Sequence, residues 1–189
     1  RMDVDIRQLR LDLAQLADVA QTLEARVREG LSAEGREVKA LPAFLRPPRP
    51  DLAGEALVVD AGGTNVRAAR VALDASGGRV LAGPAEAKLP VRTDRAQLDA
   101  EGFWTLQADL AAKVEAPAGL PLGYCFSYPS TVHEDRDATL LSWTKGIAIP
   151  GVEGERVGAP LASALAARGR APERTVVLND TVAALLGGS

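Results

Sequence analysis

Near the start of the chain, Leu9, Leu13, Leu16, Ala20, Leu23 and Val27 recur at spacings of three and four. That period draws one apolar stripe on a helix, and Gly30 supplies its expected stop. The stripe is too brief and irregular for a coiled-coil seam, so packing on a neighbouring part of the same protein is the expectation. The segment LPAFLRPPRP, from Leu41 to Pro50, carries four prolines, which exclude regular helix and predict an extended strap.

From Ala56 the pattern shortens. ALVVDA (56–61), VRAARVAL (66–73) and a run from Arg79 to Leu89 read as three strands, joined through GGTN and the DASGG turn. Leu98, Phe103, Leu106, Leu110 and Val114 then return to helical spacing, and LPLGYCFS (120–127) reads as a buried strand. A short TLLSW run follows, then a helix carrying Val157, Leu161 and Leu165 that Gly169 closes. TVVLN (175–179) is the continuous apolar strand of a sheet centre, and DTVAALL opens another helix. Three strands linked by hairpins, then strands separated by helices, predict an α/β fold with a mixed sheet, because strands joined by crossover helices lie parallel. The last helix has room for about two turns before GGS, too few to be stable alone, so the natural polypeptide is expected to continue beyond Ser189.

At 189 residues the length suits one domain, or one domain with an appendage. The expected division is a helix and proline-rich strap over residues 1–50 and a domain over 51–189. Lys and Arg number 22 against 25 for Asp and Glu, a net charge of −3 with no basic surplus to attract nucleic acid. Hydrophobic residues at 47% and charged residues at 25% describe a globular chain rather than a disordered one. Cys125 is the one cysteine and His133 the one histidine, which rules out an internal disulfide and a Cys/His zinc cluster. The chain lacks an apolar run of the ~18 residues a membrane span needs, and its start lacks a signal-peptide core, so a cytoplasmic location is expected. Cys125 is expected to be a buried strand residue and His133 a solvated loop residue.

Three constellations carry candidate chemistry. DAGGTNVR, Asp60 to Arg67, sits where one strand turns into the next. Its paired glycines let the backbone approach phosphate oxygens, Thr64 and Asn65 add donors, and Asp60 could hold magnesium directly or through water. An ordinary hairpin turn would use the same residues. FSYPS (126–130) and WTKG (143–146) bring the hydroxyls of Ser127 and Thr144 and the ammonium of Lys145, suited to a polyhydroxylated, uncharged ligand. A solvated lysine and a core tryptophan are the plainer readings of Lys145 and Trp143. NDT (179–181) lies where a buried strand hands over to a helix, the place where open α/β sheets bind ligands. Asp180 there would cap the helix, and the helix's positive end would keep its carboxylate ionised, able to take a proton from a hydroxyl.

Taken together, DAGGTN, FSYP, WTKG and NDT in this order resemble the small domain of the hexokinase family of sugar kinases, with LLSWTKG and LNDTVA the most specific stretches. The resemblance runs from about Gly30 to the chain's end. It implies the actin-like ATPase (ribonuclease H-like) fold: a mixed five-stranded sheet flanked by helices and preceded here by the N-terminal helix. It also implies that Asp180 is the base toward a sugar's 6-hydroxyl and that Ser127, Thr144, Lys145 and Asn179 contact the sugar. Asp60, Gly62, Gly63, Thr64, Asn65 and Arg67 would belong to the phosphate and magnesium region. Ala61, Val66 and Tyr128 stand where the family carries Leu, Phe and Phe, positions expected to face packing.

The implied activity is ATP- and Mg²⁺-dependent phosphorylation of a hexose, glucose above others, with Lys145 offsetting charge on the transferring oxygens. The family's second, nucleotide-binding domain has no counterpart in these residues, so the last helix would be truncated and the isolated chain would have little activity. A repressor-related sugar kinase is the alternative within the superfamily, though such proteins commonly carry a zinc cluster and WTKG argues against it. A non-catalytic sugar-binding module is the alternative from another class. The expected partners are a hexose and a nucleotide, with neither nucleic acid nor membrane.

Overall fold

A computed structural model describes residues 10–33, 35–38, 42–45, 49, 51–90 and 98–187. Leu9 and the strap residues 41, 46–48 and 50 lie outside the described residues. The chain divides into two compact units, Arg1–Pro42 and Ala43–Ser189.

The first unit is built on helix α1, Leu13–Ser32. Asp12 starts it with a capping box: its carboxylate accepts from the Gln15 N–H, and the Gln15 side chain accepts from the Asp12 N–H. Gly30 does not end the helix, which runs on to Ser32. A glycine inside a helix costs only about 1 kcal/mol, less than a stop requires. The helix buries none of its residues, and Leu13, Leu16 and Leu23 are exposed.

In the second unit β1 (Gly54–Ala61), β2 (Asn65–Asp74) and β3 (Gly77–Lys88) form an antiparallel meander. Helix α2 (Ala100–Lys113) crosses to β4 (Leu122–Phe126), and helix α3 (Gly158–Ala166) precedes β7 (Thr175–Leu178). β4 pairs parallel to β1, and β7 pairs parallel to β4. The sheet order β3-β2-β1-β4-β7 is therefore mixed and five-stranded, as periodicity predicted. Helix α4 (Asp180–Gly187) follows β7 directly.

Alternation decides which face is buried. Leu57, Val59 and Ala61 of β1 and Leu122, Tyr124 and Phe126 of β4 all point into one core. Against them pack Phe103, Ala108, Leu110 and Ala111 of α2 and Leu161 and Leu165 of α3. A small second sheet pairs β5 (Ser130–Val132) with β6 (Ala138–Leu140). Only the β6 half of this ribbon was foreshadowed, by TLLSW, because three residues are too few for β5 to show a period. Since β1, β4 and β7 run parallel, their carboxyl ends share one edge of the sheet, with Ala61 beside Phe126 and Cys125 beside Leu178. The three candidate motifs are the loops that leave that edge.

Candidate active site

The first loop is the bend from Gly62 to Thr64. It is closed by the Gly62 N–H donating to the Asn65 carbonyl at 2.9 Å, and its outer side is held by the Leu89 N–H on the Thr64 carbonyl at 2.8 Å. The second begins at Ser127, which is buried and whose N–H donates to the Ala61 carbonyl at 3.1 Å. The third is the entry to α4. Asn179, not Asp180, holds the capping position: its Oδ1 accepts from the Thr181 N–H at 3.1 Å and the Thr181 hydroxyl at 2.7 Å. Asp180 is the first residue of the helix, and its Oδ1 accepts from the Thr181 N–H at 2.9 Å. Its other oxygen, Oδ2, faces the ammonium of Lys145 at 3.6 Å.

Lys145 reaches this position from a turn in which the Ile147 N–H donates to the Thr144 carbonyl at 3.1 Å. Both central residues take positive φ, 58° at Lys145 and 78° at Gly146. Glycine accepts this freely, while a lysine in the left-handed region costs roughly 1–2 kcal/mol, a strain that clusters at functional sites. From there its stem lies across the glycine bend: a Cβ added to Gly63 would sit 2.5 Å from Lys145 Cδ and 3.2 Å from its Cβ. The ammonium also stands 5.7 Å from the Tyr128 ring centroid, within cation–π range. The plain reading of a solvated surface lysine does not describe this side chain, although it is 43% exposed.

Tyr128 ties two of the loops together, its hydroxyl donating to the Gly62 carbonyl at 2.7 Å. The ring is buried, as expected for a packing position, but the hydroxyl makes a contact that packing alone did not foretell. Trp143 meets it edge-on at 4.6 Å and also packs edge-on against Phe103 at 5.6 Å. The indole N–H donates to the Ile149 carbonyl at 3.0 Å and the Trp143 backbone N–H to the Glu153 carboxylate at 2.7 Å. Trp143 is thus half-buried, packed against the core, and anchors the WTKG loop.

Asp60, the next-to-last residue of β1, has its side chain 36% exposed, and Arg67 lies 3.7 Å from it. The same guanidinium reaches Glu86 on β3 at 3.3 Å, so Arg67 is held between two carboxylates. A cross-strand ion pair to Glu86 was not foreseen, because β2–β3 register is invisible before the hairpin is placed. Thr64 and Thr144 are exposed and Asn65 half-buried, none of them with a side-chain hydrogen bond among the described residues. Cys125, expected to be buried, is half-buried on β4. Burial, then the charge of Asp60 and the thiol's hydrogen bond to it, push the thiol up to about 12, against a smaller opposing effect of Ser127. Burial and the Asp60 charge likewise raise the Tyr128 phenol. His133 is half-buried rather than fully solvated: its Nε2 is 2.9 Å from the Thr139 hydroxyl, across the start of the ribbon.

Among the described residues, no group of three or more His, Cys, Asp or Glu gathers that would cage a metal. Magnesium needs no such cage, since it keeps several waters and takes one or two carboxylates plus substrate phosphates. The lone partly exposed carboxylate of Asp60 beside the glycine bend fits that mode. The arrangement can hold an anion over the bend, with a cation and a carboxylate facing each other beside it.

A family model described as hexokinase matches residues 2–189. Hexokinase-1 of Nicotiana tabacum is 34% identical over 191 residues, covering 93% of this chain and 37% of that protein. Hexokinase-1 of Saccharomyces cerevisiae is 30% identical over 187 residues, with 93% and 38% covered. Among solved structures, a Schistosoma mansoni hexokinase complexed with glucose superposes at a TM-score of 0.70 and 27% identity, over 93% of this chain and 41% of that one. A second hexokinase crystal structure gives 0.72 and 25%, over 94% and 44%. The chain therefore spans less than half the length of these relatives, and its fold is theirs, the actin-like ATPase fold. Sheet order, loop placement and a match that runs through nearly every residue converge on one assignment: the chain belongs to the hexokinase family.

Proposed function

We propose that this chain is the sugar-holding part of an ATP-dependent hexose kinase that phosphorylates the 6-hydroxyl, with glucose the first candidate substrate. The observation that carries the reading is the approach of Lys145 Nζ to Asp180 Oδ2 at 3.6 Å, with the lysine stem lying over Gly63. It brings a carboxylate, an ammonium and a glycine bend from three separate chain segments together, the groups such a transfer would use. The hexokinase of Schistosoma mansoni, similar over this whole region, is complexed with glucose.

Asp180, at the start of α4, would accept the hydroxyl proton as the sugar oxygen attacks the γ-phosphorus. Ser127, Thr144, Lys145 and Asn179 would hold the sugar's hydroxyls and fix the attacking oxygen in line. Phosphoryl transfer through a loose transition state depends chiefly on such positioning and on charge neutralisation. Lys145, close enough to both the carboxylate and the bend, would offset charge on the transferring oxygens. Gly62, Gly63, Thr64 and Asn65 would receive the phosphates. Magnesium, when bound with the nucleotide, supplies charge neutralisation between its phosphates, and Asp60 would hold it directly or through water. Arg67 would steady Asp60 rather than meet phosphate, since Asp60 and Glu86 already engage it.

In the accompanying domain layout, a helix and strap over residues 1–50 precede in sequence a small domain over 51–189, the adenosine is held by a second domain, and the protein works in the cytoplasm. Sugar-dependent ADP release by the full-length protein tests the reading. Asp180→Ala should lower turnover by roughly 10²-fold or more if that carboxylate is the base. Near-normal turnover in the variant would remove Asp180 from its role. Sugar binding without ADP release in the parent protein would favour a regulatory module.

A further inference from the structure

We propose that Tyr128 is a positioning residue for the nucleotide's phosphates: through its hydroxyl it sets the direction of the Gly63 N–H. The inference rests on the kinase reading for what the donor meets, but its geometry stands separately. A peptide unit is planar and trans, so its carbonyl and the next residue's N–H point in opposite directions. The Gly62 carbonyl is held by the Tyr128 hydroxyl at 2.7 Å. The Gly63 N–H therefore faces away from Tyr128, and among the described residues it donates to no protein acceptor. A backbone donor left unspent on a glycine bend, with a lysine stem against the same residue, is the makings of an anion site.

The tyrosine is built to hold that carbonyl still. The residue is 1% exposed, and its ring meets Trp143 edge-on at 4.6 Å and a tilted Phe126 at 5.1 Å. With the ring fixed, the hydroxyl has little freedom to leave the carbonyl. Burial and the neighbouring Asp60 charge raise the phenol, so it keeps the proton it donates across the physiological range. Tyr128 belongs to the loop that follows β4, which also carries Ser127, whereas Gly62 belongs to the loop that follows β1. The hydrogen bond thus makes one rigid piece of a sugar-side loop and a phosphate-side loop.

The test is Tyr128→Phe in the full-length protein, a change that keeps the ring and removes only the donor. A neutral hydrogen bond of this kind corresponds to roughly a 3- to 10-fold effect. The KM for MgATP should rise by about that factor, while the KM for the sugar stays within about twofold and Tm within about 2 °C. Equilibrium binding of MgADP should weaken by a similar factor. Tyr128→Leu, which removes the ring as well, should lower Tm clearly, separating packing from direction-setting. Unchanged MgADP binding and unchanged MgATP KM in Tyr128→Phe overturn the inference and leave the kinase reading intact. Weakened MgADP binding in Tyr128→Phe, when the parent protein releases no ADP, supports the inference and sinks the kinase reading. A parent protein that binds no MgADP overturns both.

Discussion

Adding one methyl group at Gly63 probes the site where its parts touch. The backbone of Gly63 is not in the left-handed region, so alanine brings no conformational strain of its own. The added Cβ would meet Lys145 Cδ at 2.5 Å, closer than a real methyl group sustains, with Cβ at 3.2 Å and Cγ at 3.4 Å beside it. The lysine stem is flexible and can swing away, so the protein need not unfold. The swing takes the ammonium from Asp180, whose Oδ2 it now faces at 3.6 Å. Because the two side chains are 43% and 46% exposed, that ion pair contributes only about 0–1 kcal/mol to stability.

The cost to catalysis is larger. Removing one preoriented donor to a charge that develops in the transition state costs about 10²–10³ in turnover, or roughly 2.7–4 kcal/mol. On the kinase reading proposed above, Gly63→Ala should therefore leave Tm within about 2 °C while lowering the turnover of the full-length protein by about 10²-fold. A methyl group on the bend would also crowd a phosphate directly, and a double-mutant cycle separates the two causes. If Gly63 serves to seat Lys145, Gly63→Ala made in a Lys145→Ala background should add less than about threefold, because there is no stem left to displace. Fully additive losses in that cycle, or a Gly63→Ala enzyme of near-parental turnover, would refute this account of the contact.

Other outcomes follow from the same structure. Asp137 accepts from the Ala138 N–H at 2.6 Å and caps α3 from a distance, taking the Gly158 N–H at 2.7 Å and the Ala159 N–H at 3.0 Å. Asp137→Ala should destabilise the chain by about 1–2 kcal/mol in urea unfolding, and an unchanged midpoint would show the cap to be idle. With its pKa pushed up to about 12, Cys125 should hold about 10³-fold less thiolate than an ordinary thiol near pH 8 and resist iodoacetamide accordingly; alkylation at a free-thiol rate would contradict the raised value. The linkage runs the same way. The folded protein keeps the thiol proton that the unfolded chain gives up, so stability is whole below the unfolded thiol's pKa of about 8.5 and is lost from there toward about 12. Cys125→Ala should flatten part of the alkaline fall in Tm, and identical alkaline curves would count against this source of it.

How much of this was written plainly in the chain depends on the range over which each interaction acts. The mixed sheet was legible because alternation in ALVVDA and a continuous apolar TVVLN each report a strand's surroundings within a few residues, and hairpin or helix connections then fix direction. The place of the motifs at one sheet edge followed from parallel β1, β4 and β7, which the crossovers already required. The Gly30 stop failed because a local propensity of this size yields to a helix with a strong start at Asp12. What stayed hidden are contacts between residues far apart in sequence: Arg67 with Glu86, Asp137 with the start of α3, Tyr128 with Gly62, and Lys145 with Gly63. None leaves a periodic trace, since each depends on register, on a turn's φ angles or on one hydroxyl. The composition of a site can therefore be read from the chain while its geometry is fixed by such long-range contacts. It follows that substitutions at Gly63 and Tyr128, which meet the Lys145 stem and the Gly62 carbonyl, should separate a list of site residues from a site in working geometry.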